Sequence, residues 1–107
     1  MKDLVAIEEY QRLIGSRENF LLFVKTHNCS VCEGLLPQIE AFEGEYELPF
    51  FKVNAADLPE LAGQLMLLTA PVVLIFHEGK EIQRWARFVP LADLRKKLNE
   101  FEEGLHV

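Results

Sequence analysis

Both cysteines of the chain fall in the stretch THNCSVCEG, residues 26–34, as Cys29 and Cys32 with only Ser30 and Val31 between them. Two thiols three positions apart can cycle between dithiol and disulfide, lend two soft ligands to a metal, or pack as small core residues. The flanking residues weigh between these. The run FLLFVK, residues 20–25, is aromatic and β-branched and reads as a buried strand. After the cysteines, Val31, Leu35, Leu36, Ile39 and Phe42 recur at helical spacing from Ser30 to about Glu43. The pair therefore sits where a strand ends and a helix begins. A helix start carries unpaired N–H groups and the positive end of the helix dipole, and both favour a thiolate. Cys29 is expected at the exposed lip and Cys32 one turn further in. In that arrangement Cys29 attacks a disulfide and Cys32 resolves the mixed disulfide.

His27 extends the pair to H-x-C-x-x-C, three soft donors. Structural zinc takes four, commonly from two separated pairs, and the chain has no second cysteine pair. Two chains sharing an iron–sulfur cluster would supply four thiolates. A metal or iron–sulfur site on Cys29 and Cys32 thus stands as an alternative to redox use. His27 itself is expected as an exposed loop residue that acidifies Cys29 when protonated. His77 and His106 are expected as solvated residues of a turn and a tail.

The remaining elements must hold this pair in place. Leu4, Ile7, Tyr10, Leu13 and Ile14 recur at helical spacing and Gly15 follows as a stop, although the first residues suit a short strand as well. Pro37 falls inside the helix after the cysteines and should kink it. FFKVN, residues 50–54, reads as a second buried strand. Asp57 is expected to cap a short helix carrying Leu58, Leu61 and Leu65. VVLIF, residues 72–76, is a third buried strand. HEGK makes a tight turn into EIQRWARF, its antiparallel partner, in which Trp85 is read as a packing or partly exposed edge residue. Pro90 opens a last helix with Leu91, Leu94, Leu98 and Phe101 on one face. Strands alternating with helices, closed by a hairpin, imply an α/β fold: a central mixed β-sheet flanked by helices on both faces. Thr69-Ala70-Pro71 leads directly into the strand at residue 72, a placement that suits a cis Ala70–Pro71 bond.

The 107 residues fit a single domain spanning 1–107, and half of them are apolar, enough for a core. A formal charge of −6 with no basic block argues against nucleic acid. No apolar run is long enough to span a bilayer, and the acidic start MKDLVAIEEYQ lacks the features of a signal peptide. These readings lead to a cytoplasmic protein, acting as a monomer without a membrane partner. In that compartment a disulfide is usually transient and catalytic.

Taken together, CSVC after FLLFVK, Pro37 beyond the second cysteine, FKVN with its lysine, TAP before VVLIF and the EGK hairpin resemble the thioredoxin family along essentially the whole chain. The resemblance implies a thioredoxin fold and a thiol–disulfide oxidoreductase that needs no cofactor beyond a redox-active Cys29–Cys32 disulfide. It implies disulfide-containing protein substrates, docked as an added strand beside a cis Pro71, and a separate reductant. The substrate-binding positions it assigns are Asn28, Ser30, Ala70, Pro71 and Arg87. The chain departs from the family's WCGPC at Asn28 and at Ser30-Val31. Phe23 stands where the family has a buried aspartate, so Lys52 is expected to lack its partner. Glu33 and Lys52 are then left as weak candidates for proton transfer. Arg87, between Ala86 and Phe88, occupies the place of a groove glycine and should make the groove bulkier and more cationic. These departures keep a binding or adaptor module with little turnover as a further alternative.

Overall fold

The computed structural model describes residues 1–104, so His106 lies outside them. The elements run β1 (Lys2–Leu4), α1 (Ile7–Gly15), β2 (Phe20–Lys25), α2 (Ser30–Glu43), β3 (Phe50–Asn54), α3 (Pro59–Gln64), β4 (Val72–His77), β5 (Lys80–Ala86) and α4 (Leu91–Glu102). They form one mixed sheet in the order β1-β3-β2-β4-β5. β1 and β2 both pair with β3 in parallel, while β4 pairs with β2 and β5 in antiparallel fashion.

The two central strands explain the continuous apolar runs of the sequence. Both of their faces are covered, so no polar alternation is needed. Phe20, Leu22, Val24, Val72, Leu74 and Phe76 point to one face, where Tyr10 of α1 and Leu61 of α3 pack on them. Leu21, Phe23, Val73 and Ile75 point to the other, against Ile39 of α2 and Leu94 and Leu98 of α4. Burying each such side chain contributes about 1.5–3 kcal/mol. Phe20 lies flat on Phe76 at 4.4 Å between ring centroids, a contact that adds about 0.5–1.5 kcal/mol beyond burial.

The β4–β5 turn closes the end of the sheet opposite the cysteines. Glu78 and Gly79 both take positive φ, 50° and 77°, the mirror-image turn that matches strand twist. A Cβ on Gly79 would stand 2.7 Å from the Ile14 carbonyl oxygen, so only glycine fits. The Glu78 N–H donates to Asn19 Oδ1 at 2.7 Å, and the Gly79 N–H donates to the Glu18 carbonyl at 2.9 Å.

Four expectations are corrected or refined. Of the two readings of the first residues, the short strand holds: Leu4 is the buried residue of three-residue β1. Helix α1 begins at Ile7, and Glu9 Oε1 accepts the Val5 and Ala6 N–H groups just before it, at 2.9 and 3.1 Å. Helix α2 contains Pro37 without being divided by it. The residue capping α3 is Leu58, not Asp57, with Pro59 at the first turn. His77 is no solvated turn residue: it ends β4, half-buried, with its ring edge-on to Phe101 at 5.7 Å. Trp85 is half-buried in the edge strand β5 and packs on the α2/α4 side of the core, as expected. Among the described residues no helix is long and apolar enough to cross a membrane.

Candidate active site

Cys29 is the residue that caps helix α2. Its backbone is extended, with φ −110° and ψ 94°, and its Sγ accepts the Cys32 N–H at 3.2 Å. A disulfide joins Cys29 to Cys32, whose Cα atoms lie 5.2 Å apart. The sulfur thus occupies the place a serine or aspartate oxygen takes at ordinary helix starts, where free N–H groups meet negative charge. Cys29 is half-buried, whereas Cys32 is only 1 % exposed. Cys32 belongs to the same buried cluster as Leu21, Phe23, Ile39 and Val73. Ser30 and Val31 between the sulfurs are exposed.

Register brings the proline to the same end of the sheet. Val24 of β2 pairs with Val72 of β4, so Pro71 lies just past that pair, beside the β2 exit that leads to the cysteines. The Ala70–Pro71 bond is cis. Ala70 is half-buried, and neither its N–H nor its C=O takes part in a backbone hydrogen bond among the described residues. The Arg87 N–H donates to the Pro71 carbonyl at 2.7 Å. Arg87 and Asn28 both adopt left-handed backbone, φ 69° and 53°, and both are exposed. Asparagine tolerates that region and arginine does so rarely.

The rim holds apolar surface, and it includes Val31, which helical spacing had grouped with the buried Ile39 and Phe42 but which the first turn of α2 turns to solvent. Val31, Leu68 and Phe88 are 61 %, 93 % and 77 % exposed. A depression of about 220 Å3 against Ala70 is lined by Thr26, Ala55, Leu67, Leu68, Thr69 and Ala70. The leucine doublet 67–68, lying between helix α3 and Pro71, was the available signal.

Lys52 is not without a partner. Its Nζ lies 3.5 Å from Asp3 Oδ1. Asp3, Lys52, Phe23 and Val73 occupy one row across four strands by pairing register. The buried Phe23 ring stands in that row beside Lys52, and Lys52 makes no hydrogen bond to either cysteine. Glu33 is exposed in the first turn of α2 and donates its N–H to the Cys29 carbonyl at 3.1 Å.

His27 is exposed, as expected, but both ring nitrogens turn to the loop after β3. Nε2 is 3.1 Å from Asp57 Oδ1 and Nδ1 is 3.4 Å from Asn54 Nδ2. The contact places a carboxylate, Asp57, beside His27. Among the described residues no three His, Cys, Asp or Glu side chains converge as a metal would need. The donor geometry therefore does not support the metal alternative built on His27, Cys29 and Cys32.

The thioredoxin family model matches residues 3–100. A thioredoxin-like protein of Bacillus subtilis, YdfQ, is 32% identical over 99 residues, covering 92% of this chain and 86% of that protein. Among solved structures, Plasmodium falciparum thioredoxin superposes with a TM-score of 0.85 at 16% identity, over 94% of this chain and 99% of its own. Fasciola hepatica thioredoxin gives 0.83 at 22% identity, over 94% and 98%. At such identities the two structures speak for the fold alone, a five-stranded mixed sheet with helices on both faces.

Proposed function

The chain belongs to the thioredoxin family and is a thiol–disulfide oxidoreductase, and from that premise we propose that Cys29 is the attacking thiol and Cys32 the resolving one. The carrying observation is the Cys29 sulfur at the cap of α2, accepting the Cys32 N–H, with Cys32 buried behind it. The Cys29 thiolate attacks one sulfur of a substrate disulfide. A mixed disulfide forms, the substrate S–S bond breaks, and the departing thiolate takes a proton. Cys32 then loses its proton and attacks Cys29 Sγ, which forms the Cys29–Cys32 disulfide and releases the second substrate thiol. Two electrons pass from the pair to the substrate. A separate thiol reductant restores the dithiol, so the pair itself is the redox unit and no cofactor is required.

The family acts on disulfide-containing proteins. Here the unused N–H and C=O of Ala70 suit the main chain of such a substrate, added as a strand beside Pro71. Asn28, Ser30 and Arg87 border that path, and the depression beside Ala70 offers room for a neighbouring side chain. Glu33 and Lys52 are the weak candidates for taking the Cys32 proton, with solvent as the other route. The acidic surface argues against nucleic acid, and the chain is read as a single domain, residues 1–107, working as a cytoplasmic monomer away from membranes.

A binding module with little turnover is the second reading, favoured by the buried Phe23 in the cluster that holds Cys32. Reduction of insulin disulfides by dithiothreitol, followed by turbidity, separates the two. Catalysis by the wild type that is lost in Cys29→Ser supports the oxidoreductase. Stable capture of insulin without acceleration would favour the binding module.

A further inference from the structure

We infer that Arg87 is a specificity-determining residue that selects disulfide substrates carrying a carboxylate next to the reacting cysteine. The inference rests on the oxidoreductase reading and deepens it. Its first support is backbone geometry. Arg87 holds φ at 69°, with neither the freedom of glycine nor the short polar side chain of asparagine to ease it. Such a conformation persists where the surroundings impose it, and it gathers at functional positions. Here the imposing contact is the Arg87 N–H bond to the Pro71 carbonyl, 2.7 Å long. That bond ties the arginine main chain to the proline beside which the substrate backbone runs.

The second support is charge. The chain has five arginines. Arg17, Arg84 and Arg95 are each held by a carboxylate of the chain itself, Glu78, Glu81 and Glu45. Arg12 and Arg87 are exposed and pair with no carboxylate among the described residues, and of these two only Arg87 is bonded through its main chain to Pro71. A guanidinium presents paired N–H donors that match a carboxylate. The chain as a whole carries −6, so this cation belongs to no broad positive field. Its attraction is local and open to screening by salt. Phe88, 77 % exposed beside it, excludes water from one side once a substrate docks and strengthens the pairing.

The test uses three synthetic peptides with the same intramolecular disulfide, flanked by glutamates, glutamines or lysines. Their reduction by the dithiol form of the full chain is followed as kcat/KM. The wild type is expected to favour the glutamate peptide over the glutamine one by about threefold to tenfold, the range of a partly desolvated ion pair, with the lysine peptide slowest. The preference should shrink in about 0.5 M salt, where the Debye length falls to roughly 4 Å. Arg87→Gln should bring the glutamate-to-glutamine ratio close to one, and Arg87→Lys should restore much of it. Arg87→Gly, which accepts this φ without strain, makes the same comparison if the glutamine variant does not fold. Equal kcat/KM on all three peptides, or a preference that survives loss of the cation, would overturn the inference alone. Failure to reduce any peptide would overturn the oxidoreductase reading and the inference with it.

Discussion

Around Cys29, Asn28, Ser30, Val31, Leu68, Arg87 and Phe88 are all exposed, and two of them hold left-handed backbone. Around Cys32, Leu21, Phe23, Ile39 and Val73 are fully buried. The two sulfurs share one turn of one helix, so the helix dipole alone cannot separate their roles. Access does. An attacking thiol must meet a large partner, whereas a resolving thiol need only reach the sulfur beside it. The rim is assembled from loops and takes sequence change readily. The floor is core, where a polar group must be paired or costs stability.

The largest effect expected on this contrast comes from the cysteines themselves. Cys29→Ser should bring turnover to the uncatalysed rate. Cys32→Ser should leave the first step intact and accumulate a substrate adduct on Cys29, visible by intact-mass measurement of the non-reduced protein. An adduct on Cys32 in the Cys29→Ser variant, formed at the same rate, would erase the distinction between rim and floor.

Phe23→Asp breaks the floor next. Removing the ring from the core should cost about 3–5 kcal/mol, read from urea unfolding of the oxidised protein, and burying the carboxylate adds to the loss. In whatever fraction folds, resolution of the mixed disulfide should accelerate, because a proton acceptor then stands in the cluster that contains Cys32. A resolution rate that is unchanged or slower would point to another proton route.

Two smaller effects sharpen the contrast from outside. Asp3→Asn removes the partner of Lys52. Asp3 is largely exposed, so the cost should be only about 0.2–1 kcal/mol and should shrink in high salt. Glu9 tests the sheet's other face, just past the C-terminal end of β1. The Val5 N–H holds its carboxyl below the usual carboxylate range, with smaller help from the Ala6 N–H and from Lys2 and Arg12. A depressed folded pKa means that the stabilisation is present above the ordinary carboxylate pKa and is lost as pH falls through the lower folded value. Glu9→Gln should therefore flatten that part of the acid unfolding curve without altering cysteine reactivity.

Much of this was legible in the residues because it is local. FLLFVK, VVLIF and the helix after the cysteines announce themselves by composition and period, and CSVC sits at their junction. What was hidden depends on pairs far apart in sequence. β1 has three residues and a single buried side chain, Leu4, so the sequence left strand and helix as alternatives there. Without β1 in its place, the contact of Lys52 with Asp3 could not be seen. Asp57 has the right type to cap α3 but stands one residue before the capping position, and its partner, the His27 ring, comes from 30 positions away. The depression beside Ala70 is built from three separate segments, at residues 26, 55 and 67–70, and no one of them carries its signature. Arg87 was read as a groove residue by position, while its left-handed backbone and its bond to Pro71 emerge only in three dimensions.

The division of labour between the sulfurs is tested most directly by alkylating the fully reduced wild-type protein. A brief pulse of iodoacetamide at neutral pH, followed by peptide mass spectrometry, reads both thiols in the same molecule. The capping position and exposure of Cys29 against the burial of Cys32 lead us to expect label on Cys29 well before Cys32. Equal labelling, or Cys32 labelled first, would contradict the account.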